Sequence, residues 1–338
     1  MTDLSRSVVP GTGFSGTRLS GIKTSGPAHL GNYLGAVRRW AGDQRPDDVF
    51  LVADLHGMTS THNPHRLRQY ARQAFALLIA SGVDPERAVV FVQSDLVREH
   101  GALTWVLECT CTYGEAKRMI QFKEKSRGQD SVRLGLLTYP VLQAADILLY
   151  GADRVPVGED QREHVELARA LANRFNGAYG EVFVVPEGVL PKVGARIKDL
   201  SEPTRTMAKS SGETPGVVFV LDSPDLVRRK VLRAVTDELD TVRYAPKEQP
   251  GVSNLLEILG ACTGVSPREI GADITGYEQL RSTVADAVVE LLRPVRERMT
   301  ELLDDPAELD RLRALGAHRA RERATPRLEA ALKVVGLG

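Results

Sequence analysis

From about residue 18 to 200, short apolar runs alternate with amphipathic stretches. "RLSGIK" predicts a strand, and "HLGNYLGAVRRWA" carries Leu30, Leu34, Val37 and Trp40 at helical spacing. "VFLVAD" and "AVVFVQS" are continuous apolar runs of strand length. Between them, "PHRLRQYARQAFALLIASG" reads as a helix opened by Pro64 and closed by Gly82. This strand–helix alternation predicts a parallel sheet with helices on its faces.

The stretch "REHGALTWVLECTCTYGEAKRMIQFKEKS" is helical in pattern and lacks strand signals, so it reads as an insertion between two halves of the sheet. "RVPVGED" then predicts a short strand feeding the helix "EDQREHVELARALANRF". Beyond about residue 215 every periodic segment is helical: "DLVRRKVLRAV", "SNLLEILGAC", "YEQLRSTVADAVVELLRPVRERMTELL" and "AELDRLRALGAHRARERATPRLEAALKVV". The expected fold class is α/β, a Rossmann-like parallel sheet with a helical insertion, plus a C-terminal α-helical domain. The expected organisation is a flexible Gly/Ser/Thr-rich tail over 1–17 and a catalytic domain over 18–215. That domain holds the insertion near 98–150 and a mobile loop at 204–215, and a helical domain follows over 216–338.

At 338 residues the chain is long enough for two domains, and 44 basic residues balance 44 acidic ones. A nucleic-acid partner must then be met by a local patch, and Arg228, Arg229, Lys230, Arg233, Arg319, Arg321 and Arg323 are candidates for one; the alternative is that they are solvated helix faces. Aromatics at 5% argue against an extensive base-stacking surface. Cys109, Cys111 and Cys262 form neither a disulfide framework nor a zinc site by spacing, and read as buried thiols in a reducing compartment. No stretch stays apolar for the ~20 residues of a membrane span. The first sixteen residues lack a signal-peptide pattern, so a cytoplasmic protein is expected.

Candidate chemistry gathers at three places. In "SGIKTSGPAHLGNYLG" a strand ends near Lys23, and a helix opens near His29 after a turn with Gly26. The crevice at the carboxyl end of such a strand, facing a helix N-terminus, suits a nucleotide phosphate. Gly26 and Gly31 allow close approach, while His29 and Asn32 can donate. The alternative is an ordinary tight turn. In "YPVLQAADILLYGADRVPVGEDQ", Tyr139, Gln143 and Asp146 recur at i, i+4 and i+7, one face of a helix at about 100° per residue. These polar groups inside an apolar stretch either satisfy one another and the backbone or line a pocket. Gly158, Asp160 and Gln161 follow at a strand-to-helix junction, where carboxylates cap helices or hold ribose hydroxyls. The third place is "TMAKSS", one lysine between small residues in a loop.

"PAHLGN" and "MAKSS" resemble the paired signatures of class I aminoacyl-tRNA synthetases. "SGIKTSG", "RMIQFKEKS", "YPVLQAADILLY", "VPVGEDQREH", "VGARI" and "AVTDE" are similar to the bacterial tryptophan-specific branch, in order, from about residue 18 to the C-terminus. The resemblance implies ATP-dependent activation of L-tryptophan as the adenylate, transfer to tRNA(Trp), Mg²⁺ on the phosphates and a homodimer whose interface lies near the inserted segment. It implies that His29, Asn32, Lys125, Lys209 and Ser210 act on the phosphates. Gly26, Gly31, Gly158, Asp160 and Ile197 would surround the nucleotide. Asp146 would accept the indole N–H, Tyr139 and Gln161 would hold the ammonium, and His56, Gln143 and Leu19 would line the amino-acid pocket. No resident metal site is expected.

The sequence departs from that pattern at several positions. Thr206 and Ala208 replace a lysine and a serine of the mobile loop, while Lys23 replaces a glutamine beside the substrate carboxylate, so Lys23 is expected to restore part of the lost charge or else to face solvent. Leu19 stands where an aromatic is common and Gln143 where methionine is common. Tyr139, Gln143 and Asp146 together also resemble the tyrosyl branch. The expectation that follows is a tryptophan enzyme altered in its tolerance of tryptophan-mimicking inhibitors. The alternatives are a tyrosyl enzyme, an adenylating paralogue that no longer charges tRNA, and a nucleotide-binding module without catalysis.

Overall fold

The computed structural model describes residues 16–128, 131–158, 161–189, 196–208 and 215–337, with no statement on the side chain of Lys125. The chain opens with β1 (Leu19–Lys23). Its helical run is α1 (Leu30–Asn32), a π-helical turn (Tyr33–Val37) and α2 (Arg38–Asp43). There follow β2 (Val49–Ala53), α3 (Pro64–Ala80) and β3 (Val89–Val92). All three strands are parallel, in the order β1-β2-β3, with Leu19 opposite Val49 and Val49 opposite Val89. Every residue of β2 is buried, as a central strand covered on both faces requires. Asn63 caps α3 by accepting from the amides of His65 and Arg66, and Gly82 ends it at φ +96°, a left-handed value suited to glycine.

The insertion is helical as expected: α4 (Val97–Glu108), α5 (Tyr113–Arg118) and α6 (Ile120–Ser126), followed by α7 (Leu134–Leu148). β4 (Arg154–Pro156), α8 (Arg162–Tyr179) and β5 (Glu187–Val189) complete the α/β part. β4 and β5 pair in parallel, and a bridge between Arg18 and Arg154 joins them to the β1 side of the larger sheet. Thr17, placed in the tail by the sequence reading, is buried and accepts from the amides of Asp153 and Arg154 at 3.2 and 3.3 Å.

The remainder is helical: α9 (Pro224–Leu232), α10 (Pro250–Thr263), α11 (Pro267–Asp273), α12 (Tyr277–Asp304) and α13 (Pro306–Val334). The 215/216 division separates sequence patterns, but the cores interlock across it. Val288, Leu292 and Val295 of α12 belong to one core with Phe75, Leu77 and Leu78 of α3. Ala317, Ala320 and Ala324 of α13 join a second core with Val89 and Phe91. Gly316 makes that contact possible, because a Cβ there would lie 1.7 Å from the Val90 carbonyl oxygen.

This docking corrects the reading of Arg319 and Arg323 on α13 as a solvated face or a nucleic-acid patch; Arg321 is still exposed. Arg319 donates to the carbonyls of Pro85 and Ala88 at 2.6 and 3.1 Å, and Arg321 to that of Asp95 at 2.7 Å. Arg323 donates to the Asp47 carbonyl at 3.0 Å, and Arg313 forms a forked pair with Asp95 at 2.8 and 2.7 Å. These guanidiniums bind carbonyls and carboxylates near the ends of β3 and before β2. On α9, Lys230 is likewise turned inward to Asp222, 2.7 Å away, and Arg228 pairs with Asp286. The cysteines also differ from expectation: all three are free thiols, but Cys109 is exposed and Cys111 and Cys262 are only half-buried. Among the described residues, no helix is long and apolar enough to cross a membrane.

Candidate active site

The carboxyl ends of β1 and β2, the start of α1, the polar face of α7 and the Arg196–Ile197 segment enclose a cleft of about 800 Å³. Of the residues singled out from sequence, Leu19, Lys23, His29, Gly31, Asn32, His56, Tyr139, Gln143, Asp146, Gly158, Gln161 and Ile197 line it. Gly26 is not among its lining residues. Lys209, Ser210 and Asp160 lie outside the described residues, as does the side chain of Lys125.

One end of the cleft is a corner made mostly by backbone. His29 is the N-cap of α1, and its amide donates to Asn32 Oδ1 at 3.3 Å. The Leu30 amide donates to the Val218 carbonyl at 2.8 Å, and the Val220 amide to that of Ala28 at 3.0 Å, so the chain after the "TMAKSS" loop crosses the corner. Gly31 also serves a purpose inside the protein. A Cβ there would stand 3.1 Å from the His29 imidazole, so the missing side chain makes room for the ring. The π turn at Tyr33–Val37 replaces the uninterrupted α-helix that the spacing predicts. Gly35 and Ala36 of that turn, then Arg39 and Trp40, line the same cleft.

Against the corner, Met207 is buried close to Gly31, and its amide donates to the Ile197 carbonyl at 3.1 Å. Asn254 of α10 grips this segment twice: its Oδ1 accepts from the Lys198 amide at 2.8 Å and its Nδ2 donates to the Lys198 carbonyl at 3.1 Å. The positions where the loop departs from the family pattern are both at the cavity. Thr206 lines the main cleft, and Ala208 lines an adjoining pocket of about 390 Å³ together with Lys23 and Asn32. Lys23 lines both cavities and is exposed, with its Nζ 3.3 Å from Thr59 Oγ1.

The other end is built from side chains. Tyr139, Gln143 and Asp146 lie on one face of α7, and each meets a partner from another element. The Tyr139 hydroxyl is 2.8 Å from His164 Nε2, and burial pushes its phenol up to about 12. Gln143 Nε2 donates to Gln161 Oε1 at 3.5 Å. Asp146, 2% exposed, is the hub. Its Oδ1 accepts from Gln93 Nε2 at 2.6 Å and meets His100 Nδ1 at 2.7 Å, while its Oδ2 meets His56 Nε2 at 2.8 Å. Burial pushes the Asp146 pKa up, but the hydrogen bonds of His100 and His56 outweigh it and hold the carboxyl at about 2. A carboxylate has about four acceptor positions and three are used. The remaining one is on Oδ2, whose partner His56 itself lines the cleft.

Gln93, His100 and Tyr150, which complete this hub, were not singled out from sequence. Gln93 had a usable signal, as a polar residue ending an apolar strand at the edge where parallel sheets bind ligands. His100 and Tyr150 sit inside ordinary helical patterns and carried none. Arg39, Gln121 and Arg196 also line the cleft without having been named as site residues.

The whole chain can be set beside known proteins. Residues 16–293 match the family described as tRNA synthetases class I (W and Y). Tryptophan–tRNA ligase 1 of Streptomyces coelicolor is 54% identical over 324 residues, covering 94% of this chain and 96% of the relative. The tryptophan–tRNA ligase of Clostridium perfringens is 45% identical, covering 94% and 96%. The crystal structure of tryptophanyl-tRNA synthetase from Mycoplasma pneumoniae superposes with a TM-score of 0.86 at 34% identity, covering 96% of this chain and 98% of that one. That of the Campylobacter jejuni enzyme, complexed with ADP and tryptophan, gives 0.81 at 29% identity over 95% and 100%. With a matched span of that length, and relatives this similar over nearly their whole length, the chain belongs to the class I tRNA synthetases of the tryptophan and tyrosine group.

Proposed function

We propose that this enzyme activates L-tryptophan with ATP and transfers it to the 3′ end of tRNA(Trp). The observation that carries the reading is Asp146, a buried carboxylate with three donors around it and one acceptor position left at the cleft, suited to a single ring N–H. Tyr139 and Gln161 stand toward the α8 side of the cleft and would take the ammonium. The substrate carboxylate then lies toward Lys23 and the β1–α1 corner. There it attacks the α-phosphorus of Mg·ATP, the bond to the bridging oxygen breaks, and pyrophosphate leaves with that electron pair. In the second step a ribose hydroxyl of the tRNA attacks the adenylate carbonyl and AMP departs.

Such a reaction asks the protein for positioning and for charge stabilisation at the phosphates. His29, Asn32, Lys125, Lys209 and Ser210 are assigned the phosphates, and Gly158, Asp160 and Ile197 the nucleoside. Lys209 would act most on the transition state if it meets the triphosphate only as the loop closes. Lys23, lining the adjoining pocket with Ala208, is assigned part of the charge that the loop lacks. Gln143 and Lys23 both line the cleft where family members commonly carry other residues, and this supports reduced inhibition by tryptophan mimics relative to an ordinary bacterial enzyme.

Residues 216–338 are assigned the tRNA anticodon, with the exposed Arg229 and Arg233 as the remaining candidate surface. Val97 and Trp105 on α4, Tyr113 on α5 and Leu134 on α7 are apolar and 56–71% exposed, which supports a homodimer closed over the insertion. Cytoplasmic localisation is proposed with the function. Amino-acid-dependent ATP–pyrophosphate exchange with each of the twenty amino acids tests the reading. Tryptophan is expected to support exchange, with tRNA(Trp) charged in turn. Exchange driven by tyrosine at the tryptophan rate would overturn it.

A further inference from the structure

Behind Asp146, away from the cleft, lies a second layer that the reaction does not touch. His100 is fully buried on α4, and Tyr150 is 3% exposed just beyond α7. His100 Nδ1 is 2.7 Å from Asp146 Oδ1, and its Nε2 is 2.9 Å from the Tyr150 hydroxyl. Phe91 of β3 packs against both rings, with centroids 6.1 and 5.1 Å away, which fixes their planes.

The partners assign the tautomer. An ionised Asp146 only accepts, so Nδ1 carries a proton. Among the described residues, the Tyr150 hydroxyl has no hydrogen-bond partner other than Nε2. Its single proton therefore goes to the Nε2 lone pair. The reverse tautomer would set an Nδ1 lone pair against the carboxylate and leave Asp146 Oδ1 with Gln93 as its only donor.

We propose that His100, locked in one tautomer by Tyr150, is a positioning residue that aims Asp146 at the ring N–H of the amino-acid substrate. The inference rests on the reading of Asp146 as the acceptor for that N–H. It predicts that specificity for a ring N–H depends on two residues that do not line the cleft.

The test compares ATP–pyrophosphate exchange with tryptophan and with its benzothiophene analogue, in which sulfur replaces the ring N–H. In His100→Ala, kcat/KM for tryptophan is expected to fall about tenfold, with the analogue and the KM for ATP within about twofold of wild type. His100→Asn keeps an N–H donor at the Nδ1 position and is expected to recover most of the loss. Tyr150→Phe preserves the ring packing, so it stays informative should His100→Ala fold poorly. It is expected to lower kcat/KM about threefold for tryptophan alone, since both tautomers become accessible. An equal loss for both substrates would show that the layer is merely structural and would overturn the proposal, as would no loss for either. Equal use of the two substrates by the wild-type enzyme would instead sink the reading of Asp146 itself.

Discussion

The two ends of the cleft are built on different principles. The proposed amino-acid end is a network of buried side chains, with Asp146 held by His56, Gln93 and His100 at 2.6–2.8 Å. The proposed nucleotide end is largely backbone: Leu30 on Val218, Met207 on Ile197, and a glycine that yields space to an imidazole. The difference follows from what each must recognise. One ring nitrogen among twenty side chains calls for a single acceptor in a rigid, dry place, where a wrong group leaves a buried charge unsatisfied. A triphosphate calls for many donors around an anion, which helix N-termini and lysines supply with little side-chain architecture.

If that contrast holds, substitutions at the two ends separate in their kinetics. Asp146→Asn is expected to have the largest effect, a fall on the order of a hundredfold in kcat/KM for tryptophan, because a charged acceptor becomes a neutral amide amid three donors. The KM for ATP should stay within about twofold in the same exchange assay, and a comparable change in both constants would erase the distinction. Gly31→Ala acts from the opposite end. Its methyl would sit 3.1 Å from the His29 ring and displace it. The expected result is about a tenfold loss in kcat/KM for ATP, with tryptophan affinity near wild type by equilibrium dialysis.

Lys23→Gln sharpens the boundary, since the proposed function places the substrate carboxylate toward Lys23. Adenylate formation measured by single-turnover quench should slow by more than about threefold; a smaller change means that Lys23 does not compensate for the altered loop. The smallest expected effect is on stability in acid. The Asp146 pKa is lowered from the ordinary 3.8 to about 2 in the fold. Its ionised form therefore contributes stability above about pH 4, and the contribution is lost as pH falls toward about 2. Urea midpoints for the wild type should drop more steeply across that window than those of Asp146→Asn, in which the titrating group is absent.

The same contrast explains what the sequence revealed. The α7 face was legible because Tyr139, Gln143 and Asp146 are close in the chain and helical period aligns them. The β1–α1 corner was legible because glycines, a proline and a helix start mark it locally. The layer behind Asp146 was harder to read, since Gln93 and His100 reach it from 53 and 46 residues away; Gln93 is marked only as the polar end of an apolar strand, and nothing local distinguishes His100. Arg319 of α13 misled for a related reason: a guanidinium bound to a carbonyl 231 residues away has the same sequence signature as one facing solvent. The π turn at Tyr33–Val37 shifts the helical period too little to register in a short apolar pattern, and β5 is three exposed residues with no alternation to read.

The central claim is that one acceptor position on Asp146 reads the substrate ring while the corner and the loop hold the triphosphate. A crystal structure with tryptophan and a non-hydrolysable ATP analogue tests this most directly. The expected result is the indole nitrogen within hydrogen-bond distance of Asp146 Oδ2, His56 and His100 still in place, and Lys209 on the triphosphate. An indole nitrogen turned away from Asp146, or Lys209 directed away from the phosphates, would contradict the account.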